Sequence, residues 1–151
     1  MPKHDFLLLP EVEGRAFHYA DHFHDPRAVK LDDDLVLYML DALNWIPSSN
    51  PSNPGEWCGY GLNYFGPTVI DKRGAEKAAQ VFRLWAALFE AGPEQLELTG
   101  SFEWIEGGRP AEGRYATFTE VRETVVESLR NIAALADKAA TGPIVLLHLG
   151  I

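Results

Sequence analysis

The stretch Gly142-Pro-Ile-Val-Leu-Leu-His-Leu149 decides the fold. From Ile144 onward it is apolar at every position except His148, and it has the length of a strand. A strand with one wet face alternates polar and apolar residues, whereas one covered on both faces does not. The run therefore predicts a strand buried on both faces. Immediately before it, Val121, Val125, Leu129, Ile132, Ala133 and Ala136 recur at helical spacing. This predicts a helix from about Glu120 to Ala140, closed by Gly142-Pro143.

The same order of helix, Gly-Pro and strand occurs earlier. Asp71 or a neighbouring residue opens a helix whose Ala78, Val81, Phe82, Trp85, Leu88 and Phe89 form one stripe, and Gly92-Pro93 ends it. From Leu96 to Ile105 the period changes to two. Leu96, Leu98, Phe102 and Trp104 are placed on a core face, and Glu97, Thr99, Ser101 and Glu103 on a wet one. A turn over Glu106 to Pro110 leads to an antiparallel partner around Arg114 to Phe118.

Toward the N-terminus, Asn63 to Ile70 has strand composition, with Gly66-Pro67 marking an edge or a bulge. Asp32 caps a helix from Asp33 to about Asn44, with Leu31 and Val36 as a hydrophobic staple. Leu35, Val36, Met39, Leu40 and Leu43 are its buried stripe, and Pro47 stops it. Phe6 to Leu9 reads as a short strand closed by Pro10, and Phe17 to Phe23 as a weaker one before Asp25-Pro26. The fold expected is α+β, one domain over residues 1–151, with a mixed but mostly antiparallel sheet packed on about three helices.

The chain has 151 residues and 46% apolar content, enough for one continuous core. Thirteen Lys and Arg stand against 22 Asp and Glu, a net charge of -9 that repels phosphate backbones and anionic lipid. Nucleic acid is thus an unfavoured partner. The longest apolar runs, such as Leu35 to Leu40, fall far short of the roughly 20 residues that cross a bilayer. Phe6 to Leu9 is too short for a secretory core, which predicts a cytoplasmic chain. A lone Cys58 agrees with a reducing compartment. The charge is unevenly spread: no basic residue falls between Arg83 and Arg109, while Glu90, Glu94, Glu97, Glu103 and Glu106 all do.

No sequence signature of catalysis is present. Gly59-Tyr-Gly61 lacks the strand-to-helix context of a dinucleotide fingerprint, and there is no phosphate loop, Gly-x-Ser-x-Gly elbow or His-Glu-x-x-His helix. His18, His22 and His24 are the richest set of candidate ligands, because His22 and His24 would share one face of an extended strand. A small metal-dependent enzyme using them is one alternative reading, and a non-catalytic regulatory binding domain is another. Cys58 would need a nearby base to act as a nucleophile. His148, in its apolar run, reads as a hydrogen-bonded core histidine. The expectation is a non-enzyme without cofactor or structural metal. The 17-residue segment Ile46 to Leu62 exceeds the usual length of a connection, and Trp57, Tyr60, Tyr64 and Phe65 cluster in and just after it. They serve either as a lid over the core or as a binding surface.

The stretches Ala42-Leu-Asn-Trp-Ile-Pro-Ser-Ser-Asn50, Gly61-Leu-Asn-Tyr-Phe-Gly-Pro-Thr-Val-Ile70, Leu88-Phe-Glu-Ala-Gly-Pro-Glu-Gln-Leu-Glu-Leu-Thr-Gly100 and Leu147-His-Leu-Gly-Ile151 resemble small bacterial proteins encoded beside polymorphic toxins. The family is the immunity proteins of contact-dependent or type VI secretion systems. The resemblance implies tight binding of a cognate protein toxin in the cytoplasm, with no cofactor and no catalytic residues to carry over. The expected contact residues are Trp57, Tyr60, Tyr64, Glu97, Glu103 and Glu106, and the expected toxin surface is basic.

Overall fold

The computed structural model describes residues 2–11, 19–51, 59–107 and 112–151. Within them the chain runs β1 (Lys3–Pro10), a single 3-10 turn (Tyr19–His22), β2 (Val29–Asp32), α1 (Asp33–Leu43), β3 (Pro47–Ser48), β4 (Gly59–Tyr60), β5 (Pro67–Ile70), α2 (Lys72–Glu90), β6 (Gln95–Glu103), β7 (Arg114–Val121), α3 (Arg122–Thr141) and β8 (Ile144–Leu149). The architecture is α+β, and every strand pairing among the described residues is antiparallel.

The main sheet has the order β2-β1-β8-β5, so the apolar run from Ile144 lies between two neighbours. Alternate residues of these strands feed two separate cores. Phe6, Leu31, Ile70 and Leu146 point to the helices and join Leu35, Val36, Met39, Phe82, Leu129 and Ile132. Leu7, Leu9, Val69, Val145, Leu147 and Leu149 point the other way, where Tyr19 and Ala28 pack against them. Both faces are dry, as the absence of alternation in β8 requires.

Helices α2 and α3 pack through small residues, Ala75, Ala78, Ala79 and Ala86 on one and Ala133, Ala136 and Ala139 on the other, all buried. Ion pairs Arg83–Asp137 and Arg130–Glu90 join the pair along its exposed side. Asp71 caps α2 by accepting a hydrogen bond from the Arg73 amide at 3.0 Å. Asp32 holds the equivalent position before α1 but makes no side-chain cap bond, its Oδ1 lying 3.1 Å from Lys3 Nζ instead. Among the described residues no helix is long and apolar enough to cross a membrane.

Several expected elements differ. Residues 19–23 do not form a strand: Tyr19–His22 is a 3-10 turn, and the chain then bends because the Arg27 amide donates to Asp25 Oδ1 at 2.9 Å and His24 takes φ +65°. Such Asp-initiated turns compete locally with strand formation. Strand β2 was not expected, being short and polar at alternate positions. Strand β5 begins at Pro67 rather than Asn63, since residues 64 and 65 form a turn. Leu88 and Val121, expected inward, are solvent-exposed. Leu88 lies at the edge of the α2 stripe, and Val121 belongs to β7, before α3 begins.

Candidate functional site

Strands β6 and β7 form a two-stranded ribbon separate from the main sheet. Its base is held by the Arg122 amide donating to the Glu94 carbonyl at 3.0 Å and the Arg122 guanidinium donating to the Gly92 carbonyl at 2.7 Å. Leu96, Leu98 and Phe118 cover the helices on its inner face, where Tyr38 of α1 meets the Phe118 ring with centroids 6.2 Å apart. Glu120, next along that face, has its carboxyl pushed up to about 7 by burial, by the charge of Asp32 and by a hydrogen bond to it.

The ribbon changes phase halfway. Thr99 pairs with Thr117, but Phe102 rather than Ser101 pairs with Tyr115, so β6 carries one extra residue between them. A one-residue bulge exchanges the faces of everything beyond it. Leu96 and Leu98 therefore point inward, while Phe102 and Trp104 point outward beside Tyr115. The rings meet edge-to-face, with centroids 4.8 Å apart for Phe102 and Trp104 and 5.2 Å for Phe102 and Tyr115. Trp104 is 63% and Tyr115 64% exposed. A Cβ on Gly113 would lie 2.1 Å from the Phe102 ring, which places that ring over the same face. The expected core positions of Phe102 and Trp104 are thus corrected.

The carboxylates follow the same rule. Glu97 shares the outer face with Thr99, Thr117 and Thr119. Glu103 pairs with Arg114 beyond the bulge, so it turns to the opposite face and is not aligned with Glu97 as strict alternation predicted. Glu106 is exposed in the turn beside Gly107. Tyr60 is 75% exposed on β4, away from the ribbon strands. Tyr64 is half-buried and donates a very short hydrogen bond to Asp33, so its hydroxyl has an internal role. Burial and that bond raise its phenol well above the ordinary range. Trp57, Cys58 and His18 lie outside the described residues. His22 sits in the 3-10 turn 3.9 Å from an Asp25 carboxylate oxygen and His24 follows it in a bend, so no extended strand puts the two on one face. Among the described residues no three His, Cys, Asp or Glu side chains gather as a metal site requires.

A second arrangement is internal and was not foreseen beyond His148 itself. His4 and His148 are both fully buried, and His4 Nδ1 lies 2.8 Å from His148 Nε2. His4 Nε2 is 3.0 Å from Asp33 Oδ1, and His148 Nδ1 is 3.4 Å from Thr68 Oγ1, which accepts from the Asn63 amide at 2.7 Å. The partners assign the protons. Asp33 accepts from His4 Nε2, leaving Nδ1 to accept from His148 Nε2, and His148 Nδ1 then accepts from the Thr68 hydroxyl. Every polar group in the chain is then satisfied. Burial, with the neighbouring His4, holds His148 down to about 3.

No protein-family model, curated protein or solved structure matches the chain.

Proposed function

We propose that the protein binds another protein through the outer face of the β6–β7 ribbon, and that this partner is a bacterial toxin neutralised in the cytoplasm. The observation that carries the reading is the bulge that turns Phe102 and Trp104 to solvent beside Tyr115. Core alternation would have hidden both. Exposed aromatic clusters of this kind supply the anchors that dominate protein interfaces, with little rotamer entropy to lose. Glu97 on the same face and Glu106 at the turn favour a basic partner surface and faster association with it. The toxin as partner rests on the resemblance of the sequence to immunity proteins.

The test is binding of the protein product of an adjacent gene, measured by calorimetry with wild type, Trp104→Ala and Tyr115→Ala. Both side chains are exposed, so the variants should unfold at the wild-type temperature. Each should weaken binding by about 2 kcal/mol or more, some thirtyfold. Wild-type affinity in both variants would remove the ribbon as the docking face. Tight binding to a partner without toxic activity would retain the docking face and refute the immunity reading.

A further inference from the structure

A cavity of about 250 Å³ opens where β3, β4 and the start of β5 meet. Ser48, Asn50, Tyr60, Asn63 and Thr68 line it with the glycine backbone of β4, and no charged side chain does so among the described residues. Sites for drug-sized ligands run from roughly 300 to 1,000 Å³, so this one suits a single ring. Among the described residues it therefore offers no fixed charge to stabilise a phosphate, a carboxylate or a metal ion.

The buried histidine chain determines what the floor presents. With the ring protons assigned as above, Thr68 directs its own proton at His148 Nδ1, while Ser48 donates to the Gly61 carbonyl, 2.5 Å away. Both hydroxyls are spent as donors inside the protein, so only lone pairs remain to face the cavity. Ser48 and Thr68 are themselves buried, which fixes these orientations. Asn50 and Asn63 contribute amide groups to the wall, and the ring of Tyr60 stands exposed at the rim. A matching ligand is neutral, rich in hydroxyl donors and has one apolar face to lie on an aromatic ring.

We propose that the cavity between β3, β4 and β5 binds a neutral polyhydroxylated ring of the hexose class. Its hydroxyls donate to Ser48 and Thr68 and its C–H face packs on Tyr60. The histidine chain acts as a positioning device, holding the Thr68 hydroxyl in the accepting orientation. A ligand of about a dozen heavy atoms in so open a site should half-saturate at about millimolar concentration.

The experiment is a titration of isotope-labelled full-length protein with methyl glucoside, methyl galactoside and methyl mannoside, read from amide chemical shifts. At least one should shift Gly59, Gly61, Asn63 and Thr68 saturably. Tyr60→Ala, at an exposed position and so without risk to folding, should weaken that binding about fivefold or more. Thr68→Val should weaken it as well, while Trp104→Ala on the ribbon should leave it unchanged. Three results overturn the proposal: no saturable shift by about 100 mM of any glycoside, shifts that persist undiminished in Tyr60→Ala, or saturable binding of a nucleoside or an alkylammonium salt in place of the sugars.

Discussion

Acid should destabilise this protein through His148, provided that an opposing group is first removed. Burial lowers the imidazole to about 3 in the folded state, whereas an unfolded histidine titrates near 6.5. As pH falls, the unfolded chain takes up a proton that the folded chain refuses. The stability contributed by the neutral ring is therefore present above about 6.5 and lost progressively toward 3. From pH 7.5 to 5.0 the loss comes to about 2 kcal/mol, close to 1.4 kcal/mol for each pH unit below the unfolded value. Glu120 acts in the opposite direction. Its carboxyl is raised to about 7, so its contribution is full below the ordinary glutamate range and lost as pH rises through 7. The two overlap in one window and mask each other in the wild type. Glu120→Gln removes the second. Urea denaturation of this variant at the two pH values should place its midpoint about 1 M lower at pH 5.0, taking a urea dependence of about 2 kcal/mol per molar. Adding His148→Gln should flatten the difference. Equal midpoints for Glu120→Gln at both pH values would show that His148 accepts its proton in the folded state, and would refute the proton assignment of the whole chain.

Other perturbations separate the parts of the structure. Phe82 is fully buried and meets Phe6 edge-to-face with centroids 5.6 Å apart; Phe82→Ala should cost about 3–5 kcal/mol in chemical denaturation. Asp71→Ala removes the cap of α2 and should cost about 1 kcal/mol, with loss of amide-exchange protection confined to the first turn. Gly74→Ala should be far more damaging than its helical position suggests, because a Cβ there would lie 1.8 Å from the Pro47 carbonyl oxygen; a wild-type melting temperature would contradict this. Glu97→Lys with Glu106→Lys should slow association with a basic partner at low salt and leave the rate nearly unchanged at high salt, where screening acts within about 10 Å or less.

Helices and the central strand were legible because their signals are cumulative. Eight buried residues of α2 and seven of α3 carry the helical period, and no single exception such as Leu88 changes the reading. The ribbon's phase was not legible, because alternation carries no record of an inserted residue: Leu96, Leu98, Phe102 and Trp104 keep perfect parity across the bulge. Gly100-Ser101 in the middle of an apolar-alternating strand was the available signal, since a strand glycine often marks a bulge. The buried chain was half legible. His148 stood out in an apolar run, but its partner His4 lies 144 positions away on β1, in a stretch that looks like a polar N-terminus. Only the antiparallel register of β1 with β8, which sets Phe6 opposite His148, brings the two rings together. Strand β2 escaped notice because its Lys30 and Asp32 pair with Asp5 and Lys3 across the edge, giving it the composition of a loop.

The register across the bulge in β6 also limits what a small genetic change can do to the ribbon. Substitution adjusts the side chains at its end one at a time, but cannot choose which side they occupy. Nor can loss of a single codon at Gly100 or Ser101: pairing would become unbroken, yet Phe102 would still lie opposite Tyr115 and Glu103 opposite Arg114, so the same side chains would stay on the same sides. The register with β7, and not the parity of β6's own sequence, holds the aromatic surface outward. Among relatives of this protein, a one-residue difference in length at these two positions should therefore leave that surface in place.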